Sequence, residues 1–118
     1  MIIRILLIIF TILVLNGCST RSAKISTEGS KLKLVSEKDI DCCCENKGIA
    51  AASQEYGVSW GVSKANESAL NKVRNKAAKS GGNAIKIIEA NSTGDPYNGG
   101  GITYVAGVYN CDFEKINN

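Results

Sequence analysis

The sequence contains no histidine, few aromatic residues and a single proline among its 118 residues. Without histidine, the chain lacks the commonest general base and every Ser-His or Cys-His catalytic pair. Aromatic residues make up only 6% of the chain, with one tryptophan, so the core of any domain is expected to be modest. These absences argue against a catalytic function that depends on histidine and against a large apolar core.

The remaining polar residues do not form a catalytic constellation. Ser63 and Lys64 are adjacent in sequence and could form a Ser-Lys catalytic pair, but nothing around them indicates the buried setting that activates a lysine as a base. We therefore predict that the protein is not an enzyme, has no catalytic residues and needs no cofactor. Carboxylates that stand singly in loops or on expected solvent faces are Glu55, Glu67, Glu89 and Asp95.

Charge is spread along the chain and is not concentrated in one run. The 14 basic and 11 acidic side chains give a formal net charge of +3, and 13 basic residues remain once Arg4 of the N-terminal segment is set aside. Phosphate binding requires clustered lysine and arginine. We therefore predict that the protein has no nucleic-acid partner.

The N-terminal residues have the organisation of a signal peptide that ends in a cysteine. Arg4 provides a short positive region, and Ile5–Leu15 is an apolar run of 11 residues, shorter than the roughly 20 that span a bilayer. The run leads into Leu15-Asn16-Gly17-Cys18, which resembles the lipobox of bacterial lipoproteins, although Asn16 departs from the usual residue. The resemblance implies cleavage before Cys18 and lipidation of its sulfur. The alternative is a retained anchor with Cys18 as a plain thiol.

The residues after Cys18 predict a location in the outer membrane and a flexible tether. Ser19 follows the cysteine, and the absence of aspartate there resembles lipoproteins sent to the outer membrane. Several acyl chains, at about 0.8 kcal/mol per buried methylene, anchor a protein firmly. Ser19–Ser30 is small and polar, which predicts a flexible tether. We expect residues 1–17 to be the signal peptide, 18–30 the lipidated cysteine and tether, and 31–118 one small envelope domain.

The first half of this domain predicts two strands and a helix. Leu32 and Leu34 alternate with lysines as in a half-buried strand, an acidic turn is expected at Glu37–Asp41, and Lys47–Gln54 predicts a second strand. The glycines around Trp60 favour a loop.

A helix is expected over Asn66–Ser80, because Asn66 is a capping residue and Leu70, Val73 and Ala77 form an apolar stripe. Gly81 and Gly82 are expected to end it.

The second half predicts two more strands. Asn83–Ala90 and Ile102–Cys111 are rich in β-branched and aromatic residues, and Asn91–Gly101 between them concentrates turn formers. The order strand, strand, helix, strand, strand predicts an α+β fold in two layers: an antiparallel sheet of about four strands, with one helix packed on a face.

Four cysteines remain when Cys18 is set aside, in a compartment that permits disulfides. Every complete pairing joins Cys111 to one of Cys42, Cys43 and Cys44 and leaves two near neighbours, which fit ordinary disulfide geometry poorly. We predict a bridge from Cys44 to Cys111, with Cys43 or Cys42 as possible partners instead, and no second good bridge. The two remaining thiols are strained together, free, bonded to another chain or available to a metal. A metal site is not expected, because no histidine completes one.

The motif Val73-Arg74-Asn75-Lys76-Ala77-Ala78-Lys79-Ser80-Gly81-Gly82-Asn83-Ala84-Ile85, with the closing Gly101-Ile102-Thr103-Tyr104 to Cys111, carries a family resemblance. It resembles small bacterial envelope lipoproteins similar to the outer-membrane stress sensor RcsF, over about residues 31–112. The resemblance implies a tethered α+β domain braced by disulfides that signals through contacts with other envelope proteins. The three consecutive cysteines depart from that pattern.

These observations give two functional hypotheses of different kinds. The first is a non-catalytic lipoprotein, anchored in the outer membrane through its N-terminal lipid, that binds or senses another envelope component. The alternative is a thiol- or metal-handling lipoprotein that uses the cluster of Cys42, Cys43 and Cys44.

Overall fold

The computed structural model describes residues 2–4, 23–57 and 61–118. In residues 23–118 the described part folds around a single sheet that one long helix covers on one face. The helices and strands, in chain order, are α1 (Thr27–Ser30), β1 (Lys33–Leu34), α2 (Glu37–Cys43), β2 (Cys44–Glu55), α3 (Gly61–Lys79), β3 (Ala84–Asp95), β4 (Gly99–Cys111) and α4 (Phe113–Ile116).

The sheet has four strands in the spatial order β1-β3-β4-β2. Strand β4 pairs antiparallel with both β2 and β3, whereas the short β1 pairs parallel with β3 through Lys33 and Leu34. The predicted α+β fold, with one main helix on a four-stranded sheet, is confirmed. The parallel pairing of β1 is a local departure from the antiparallel sheet that the strand order predicts.

Helix α3 lies on the sheet through a stripe of small side chains. Its buried residues recur three or four positions apart, which places them on one helical face. The helix begins at Gly61, not at Asn66 as predicted. Asn66 lies inside the helix, where its side-chain oxygen accepts a hydrogen bond from the Tyr104 hydroxyl. At the other end, the amide of Gly82 donates to the carbonyl of Ala77, and Gly81 takes a φ of 85°. The predicted glycine ending is therefore present.

The core between α3 and the sheet is built largely from alanine and β-branched residues. Ile85, Val73 and Val108 are the largest apolar side chains that are completely buried. Because alanine projects little from a helix or a strand, the two layers approach closely, and each apolar side chain counts heavily in so small a core. The cluster comprises Leu32, Ala50, Ala52, Val73, Ala77, Ile85, Ala106 and Val108.

Two segments differ from the turn and the loop that the sequence predicts. Glu37–Asp41 belongs to α2, which Ser36 and Asp39 begin with a capping box in which each side chain bonds the other residue's amide. The turn-forming residues 91–101 mostly continue β3 and β4 as a hairpin. Gly94 and Gly100 permit this, because a Cβ at either position would lie about 2 Å from a backbone oxygen of the facing strand.

The predicted tether also differs, since the packed structure already includes residues 23–30. This segment, which we call the N-terminal strap, lies against α3. Side chains of α3 hold its main chain by hydrogen bonds, so the segment packs on the helix with only one large apolar side chain, Ile25. The packed domain therefore includes residues 23–30 and does not begin only at Lys31.

Candidate functional site

The cysteines gather at one end of the sheet, where β2 begins and β4 ends. Cys44 and Cys111 face each other across the two strands and are joined in a disulfide that links positions 67 residues apart. Cys42 and Cys43, in the last turn of α2, are joined to each other. This second bridge differs from the single bridge that we expected. With Cys44 bonded to Cys111, the neighbouring pair in the triplet has only itself as a partner.

Hydrogen bonds reinforce this disulfide end. The Asn83 side chain donates to the carbonyl of Cys111 at 2.9 Å and accepts from its amide at 2.7 Å. The amide of Asp112 donates to the carbonyl of Cys43 at 2.9 Å, which ties the start of α4 to the end of α2. Cys111 is only 6% exposed, whereas Cys42 is exposed. The two bridges therefore differ in their access to other thiols.

The N-terminal strap is held by polar side chains of α3. The amide of Ala23 donates to the Ser68 hydroxyl at 2.7 Å, and Asn71 donates to the carbonyl of Ala23 at 3.0 Å. One turn further along α3, Asn75 accepts from the amide of Ser26 at 2.7 Å and donates to the carbonyl of Lys24 at 2.9 Å. Three side chains on one helical face thus bind the main chain of residues 23–26, which precede α1.

A buried polar contact connects the strap to the sheet. Ser68, which is 1% exposed, donates to the side-chain oxygen of Gln54 at 2.8 Å, and Gln54 is 8% exposed. Because Ser68 also accepts from the amide of Ala23, its hydroxyl joins the strap to the far end of β2. Both buried side chains are paired, which is what burial of polar groups in a stable domain requires.

The opposite end of the sheet is a hairpin arm, which we define as residues 88–103. Ile88 is 59% exposed and Tyr97, at the tip, is 84% exposed. The arm contains two acidic side chains, Glu89 and Asp95, and no basic one. The arm thus exposes one large apolar side chain at its base and one aromatic side chain at its tip.

Hydrogen bonds order the tip of the arm. The Asp95 carboxylate accepts from the amides of Tyr97 and Asn98 at 2.8 and 2.9 Å and from the Asn98 side chain at 2.9 Å. These donors, with the Asn98 side chain first, hold the pKa of Asp95 below its ordinary value. The turn that carries Tyr97 is thus fixed by an ionised carboxylate.

A polar row crosses the sheet on the face opposite α3. Ser53, Thr103 and Asn91 lie side by side on β2, β4 and β3, and the hydroxyls of Ser53 and Thr103 are 2.6 Å apart. In the next row Gly101 leaves a gap between Glu55 and Thr93. Together these residues line a shallow cavity of 420 Å³. The cavity provides hydrogen-bonding groups but no nucleophile paired with a base.

The outer edge of β2 is lined by two lysines of α3. Strand β2 is the last strand of the sheet, so one side of its backbone has no neighbouring strand in the described residues. Lys72 donates to the carbonyl of Ser53 at 3.0 Å, and Lys76 donates to the carbonyl of Ala51 at 2.7 Å. We call Ile49–Glu55 the free edge. Its exposed backbone groups suit recognition of another extended chain.

The structure separates the residues that the sequence singled out. Cys18 and Trp60 lie outside the described residues, so the lipidation of Cys18 and the loop at Trp60 stay predictions. Ser63 and Lys64 are exposed on α3. Across residues 2–4, 23–57 and 61–118, no group of three or more potential metal ligands gathers. The singly placed carboxylates are distributed over β2, α3 and the hairpin arm: Glu55, Glu67, Glu89 and Asp95.

The side chains that bind backbone groups were not among the candidate residues that the sequence indicates. Asn71 and Asn75 hold the strap, and Lys72 and Lys76 cover the free edge. One signal was present: asparagine is a poor helix former, and two of them one turn apart in a helix interior indicate a role in hydrogen bonding. The lysines gave no such signal, because a lysine on a helix usually faces water.

None of the helices in the described part of the chain is long and apolar enough to cross a bilayer.

A family model described as "Domain of unknown function (DUF4156)" matches residues 23–111. The match begins at the first residue of the strap and ends at the cysteine bonded to Cys44. No curated protein and no solved structure gives a significant match.

Proposed function

The chain belongs to the DUF4156 family, and we propose that it is a non-catalytic envelope lipoprotein, anchored in the outer membrane through Cys18, that binds or senses another envelope component. The observation that carries the proposal is the apolar run that ends in Leu15-Asn16-Gly17-Cys18. The resemblance to RcsF-like lipoproteins supports a sensing role on the periplasmic side of the membrane.

The position of the strap supports a domain held close to its anchor. Ala23 is five positions after Cys18 and is hydrogen-bonded to Ser68 of α3. At about 3.3–3.6 Å per extended residue, five residues reach no more than about 18 Å. A partner would therefore meet the domain near the membrane surface unless the strap detaches.

The exposed surfaces support binding and not catalysis. The hairpin arm presents Tyr97 and Ile88 to solvent, and the free edge presents backbone groups. The shallow cavity on the sheet face opposite α3 is lined by hydroxyl, amide and carboxylate groups. Its lining includes no histidine, cysteine or lysine that would act as a nucleophile or base. Recognition through these surfaces needs no cofactor.

Intact-mass spectrometry of the membrane-extracted protein, before and after reduction, tests the anchor. We expect a chain that begins at Cys18 and carries acyl groups, and a mass increase of four hydrogens on reduction of two disulfides. The matched Cys18→Ser variant is expected to lack acyl groups. A water-soluble wild-type protein that retains Met1 and an unmodified Cys18 would contradict the proposed anchor.

Crosslinking in intact cells tests the binding role. We expect the wild-type lipoprotein to yield discrete crosslinked products with envelope proteins, and the Cys18→Ser variant to lose most of them because it is no longer held at the membrane. Recovery of the lipidated protein without any crosslinked envelope protein would count against binding while leaving the anchor intact.

A second candidate function, thiol handling, is favoured by one observation. Cys42 is exposed and is bonded to Cys43, so an external thiolate has access to this bridge. Attack on either sulfur forms a mixed disulfide and releases the other as a thiolate; a second external thiolate then completes the exchange. In the oxidised state, the four described cysteines are all paired, so thiolate-based metal binding requires reduction first.

Thiol counting under graded dithiothreitol tests this second function. We expect Cys42 and Cys43 to become reactive before Cys44 and Cys111, because Cys111 is buried. Metal content is measured on the same oxidised and reduced samples. If all four thiols appear together and neither sample holds metal, the thiol-handling and metal-handling alternative is excluded.

A further inference from the structure

The free edge of β2 has an unusual arrangement of backbone groups. The carbonyls of Ala51 and Ser53 receive the ammonium groups of Lys76 and Lys72, so both carbonyls point away from β4. In an antiparallel pair, the N–H and C=O of one residue lie on the same side of the strand. The N–H groups of Ala51 and Ser53 therefore also point outward, where the described residues contain no further strand.

The spacing of Lys72 and Lys76 along α3 is close to the spacing of Ala51 and Ser53 along β2. Positions 72 and 76 are one turn apart on α3, a rise of about 6 Å at 1.5 Å per residue. Positions 51 and 53 are about 6.8 Å apart on the strand. Side chains two residues apart on a further strand would have this same spacing, so the lysines are placed to meet two successive same-face side chains of an incoming chain.

We propose that the free edge of β2 binds an extended acidic segment of a partner protein, which adds a strand to the sheet and pairs its carboxylates with Lys72 and Lys76. This proposal rests on the proposed binding function and names the chemistry of its partner. The partner's N–H groups bond the carbonyls of Ala51 and Ser53, and its carbonyls accept the outward N–H groups of the same residues.

The exchange conserves hydrogen bonds. On binding, each lysine leaves a backbone carbonyl and donates to a carboxylate of the partner, which forms a charge-assisted and therefore stronger bond. The released carbonyl accepts a backbone N–H in its place. No donor or acceptor at the edge is left unpaired, which removes the main cost of burying polar groups.

Charge decides between this occupant and two others. A second copy of this chain, paired edge to edge, would bring its own Lys72 and Lys76 against the same two lysines. A basic segment would meet the same repulsion. Like charges placed in one interface are unfavourable, and opposite charges select the partner. The acidic segment is the occupant that the lysines attract.

Peptide titration of the membrane-extracted, full lipoprotein in detergent tests the proposal. The probe is a capped nine-residue peptide of alternating glutamate and valine with a fluorescent label, and the control is its lysine–valine counterpart. By anisotropy at low salt, we expect the acidic peptide to bind at least about tenfold more tightly than the basic one. Equal binding of the two peptides would overturn the proposal.

Matched variants locate the binding site. Lys72→Ala/Lys76→Ala is expected to weaken binding of the acidic peptide about tenfold, given the modest value of each exposed ion pair. Lys64→Ala/Lys79→Ala removes the same charge from the same helix and is expected to change the affinity less than about twofold. Equal losses in the two double variants would show a general charge effect and contradict an edge site.

N-methylated peptides test strand pairing without any change to the protein. Methyl groups on alternate amides block one edge of an extended peptide, so we expect one methylation register to abolish binding and the other to leave it within about threefold. Equal effects of both registers would contradict strand addition. Ala51→Pro, checked for folding by circular dichroism, removes an outward N–H and is expected to weaken binding as well.

Two further outcomes separate this proposal from its alternatives. If Lys72→Ala/Lys76→Ala forms dimers by analytical ultracentrifugation and the wild type does not bind the acidic peptide, the lysines only guard the edge and the proposal is wrong. If cells yield crosslinked envelope partners that are unchanged in this variant, partner binding stands and the edge proposal fails.

Discussion

The disulfide end of the sheet, on β2 and β4, and the hairpin arm, on β3 and β4, share strand β4, but their surroundings differ. At the disulfide end, α3 covers the sheet, Cys44 is bonded to Cys111, and Asn83 bonds the backbone of Cys111. In the arm, Ile88 and Tyr97 face solvent. The disulfide end thus has covalent and hydrogen-bonded links between its strands, whereas the arm exposes its large side chains to solvent.

The difference reflects how a domain with a small core is stabilised. A core made largely of alanine, valine and isoleucine provides little apolar burial, so a long-range disulfide and a helix that packs closely have to supply much of the stability. The strands can then extend beyond the helix as an exposed pair. Four changes test this comparison, from the largest expected effect to the smallest.

The first change removes the long-range bridge. Cys44→Ser/Cys111→Ser opens a link across 67 residues, and the chain-entropy model gives a loss of about 4 kcal/mol in the free energy of unfolding. Cys42→Ser/Cys43→Ser removes the same number of sulfurs but a link between adjacent residues, and is expected to cost less than about 1 kcal/mol. Urea denaturation measures both. Similar losses would show that the position of the bridge is unimportant.

The second change compares one isoleucine from each part of β3. Ile85 is completely buried under α3, and Ile85→Ala is expected to cost about 3 kcal/mol because it leaves a cavity. Ile88, in the arm, is 59% exposed, and Ile88→Ala is expected to change the free energy of unfolding by less than about 0.5 kcal/mol. Chemical denaturation of the two variants checks the contrast. A large loss for Ile88→Ala would mean that the arm contributes to the core.

The third change loosens the N-terminal strap. Asn75→Ala removes two hydrogen bonds, to the amide of Ser26 and the carbonyl of Lys24, and is expected to cost about 1–2 kcal/mol. Asn91→Ala, on the sheet face opposite α3, is the control and is expected to change the free energy of unfolding little. Hydrogen exchange is expected to become faster in residues 23–30 of the Asn75 variant. Unchanged exchange there would contradict the strap.

The fourth change concerns the turn at the tip of the arm. Hydrogen bonds from Asn98 and Tyr97 lower the pKa of Asp95, so ionised Asp95 stabilises the folded turn. This stabilisation is complete above the ordinary pKa of an aspartate, about 3.9, and is lost as the pH falls through the lower pKa of the folded state. Because Asp95 is only partly buried, at the tip of the arm, the effect is local and small.

An NMR pH titration measures the pKa of Asp95 directly. The wild type is expected to titrate below the ordinary aspartate value, and Asn98→Ala, which removes the leading donor, is expected to move the pKa back towards that value. An Asp95 pKa that does not respond to this substitution would contradict the ordered tip.

Much of the fold was predictable because it depends on local patterns. The strand alternation around Ile85 and the glycines at the end of α3 determine element type and order without reference to distant residues. The arm was not predictable in this way. Residues 91–101 have the composition of a loop, and only the close approach of the facing strand at Gly94 and Gly100 shows why glycine is needed in a hairpin.

The candidate sites were less predictable, because they depend on which backbone groups lie nearby. The mid-helix asparagines signalled a polar role, but the strap that Asn75 binds is 49 residues away in sequence at Ser26. Lys72 and Lys76 became informative only when β2 proved to be an edge strand. The bond between Cys42 and Cys43 was one of several fates that the sequence left open for the two remaining thiols, because sequence spacing alone did not choose among them.

The most direct test of the account is photo-crosslinking in intact cells from two positions on β2. A photoreactive residue at Ala51, on the free edge, is compared with one at Glu45, at the disulfide end. We predict crosslinks to an envelope protein from position 51 that disappear in the Cys18→Ser variant, and few or none from position 45. Equal crosslinking from both positions, or crosslinking that does not depend on Cys18, would contradict a lipid-anchored domain that binds its partner through the free edge of β2.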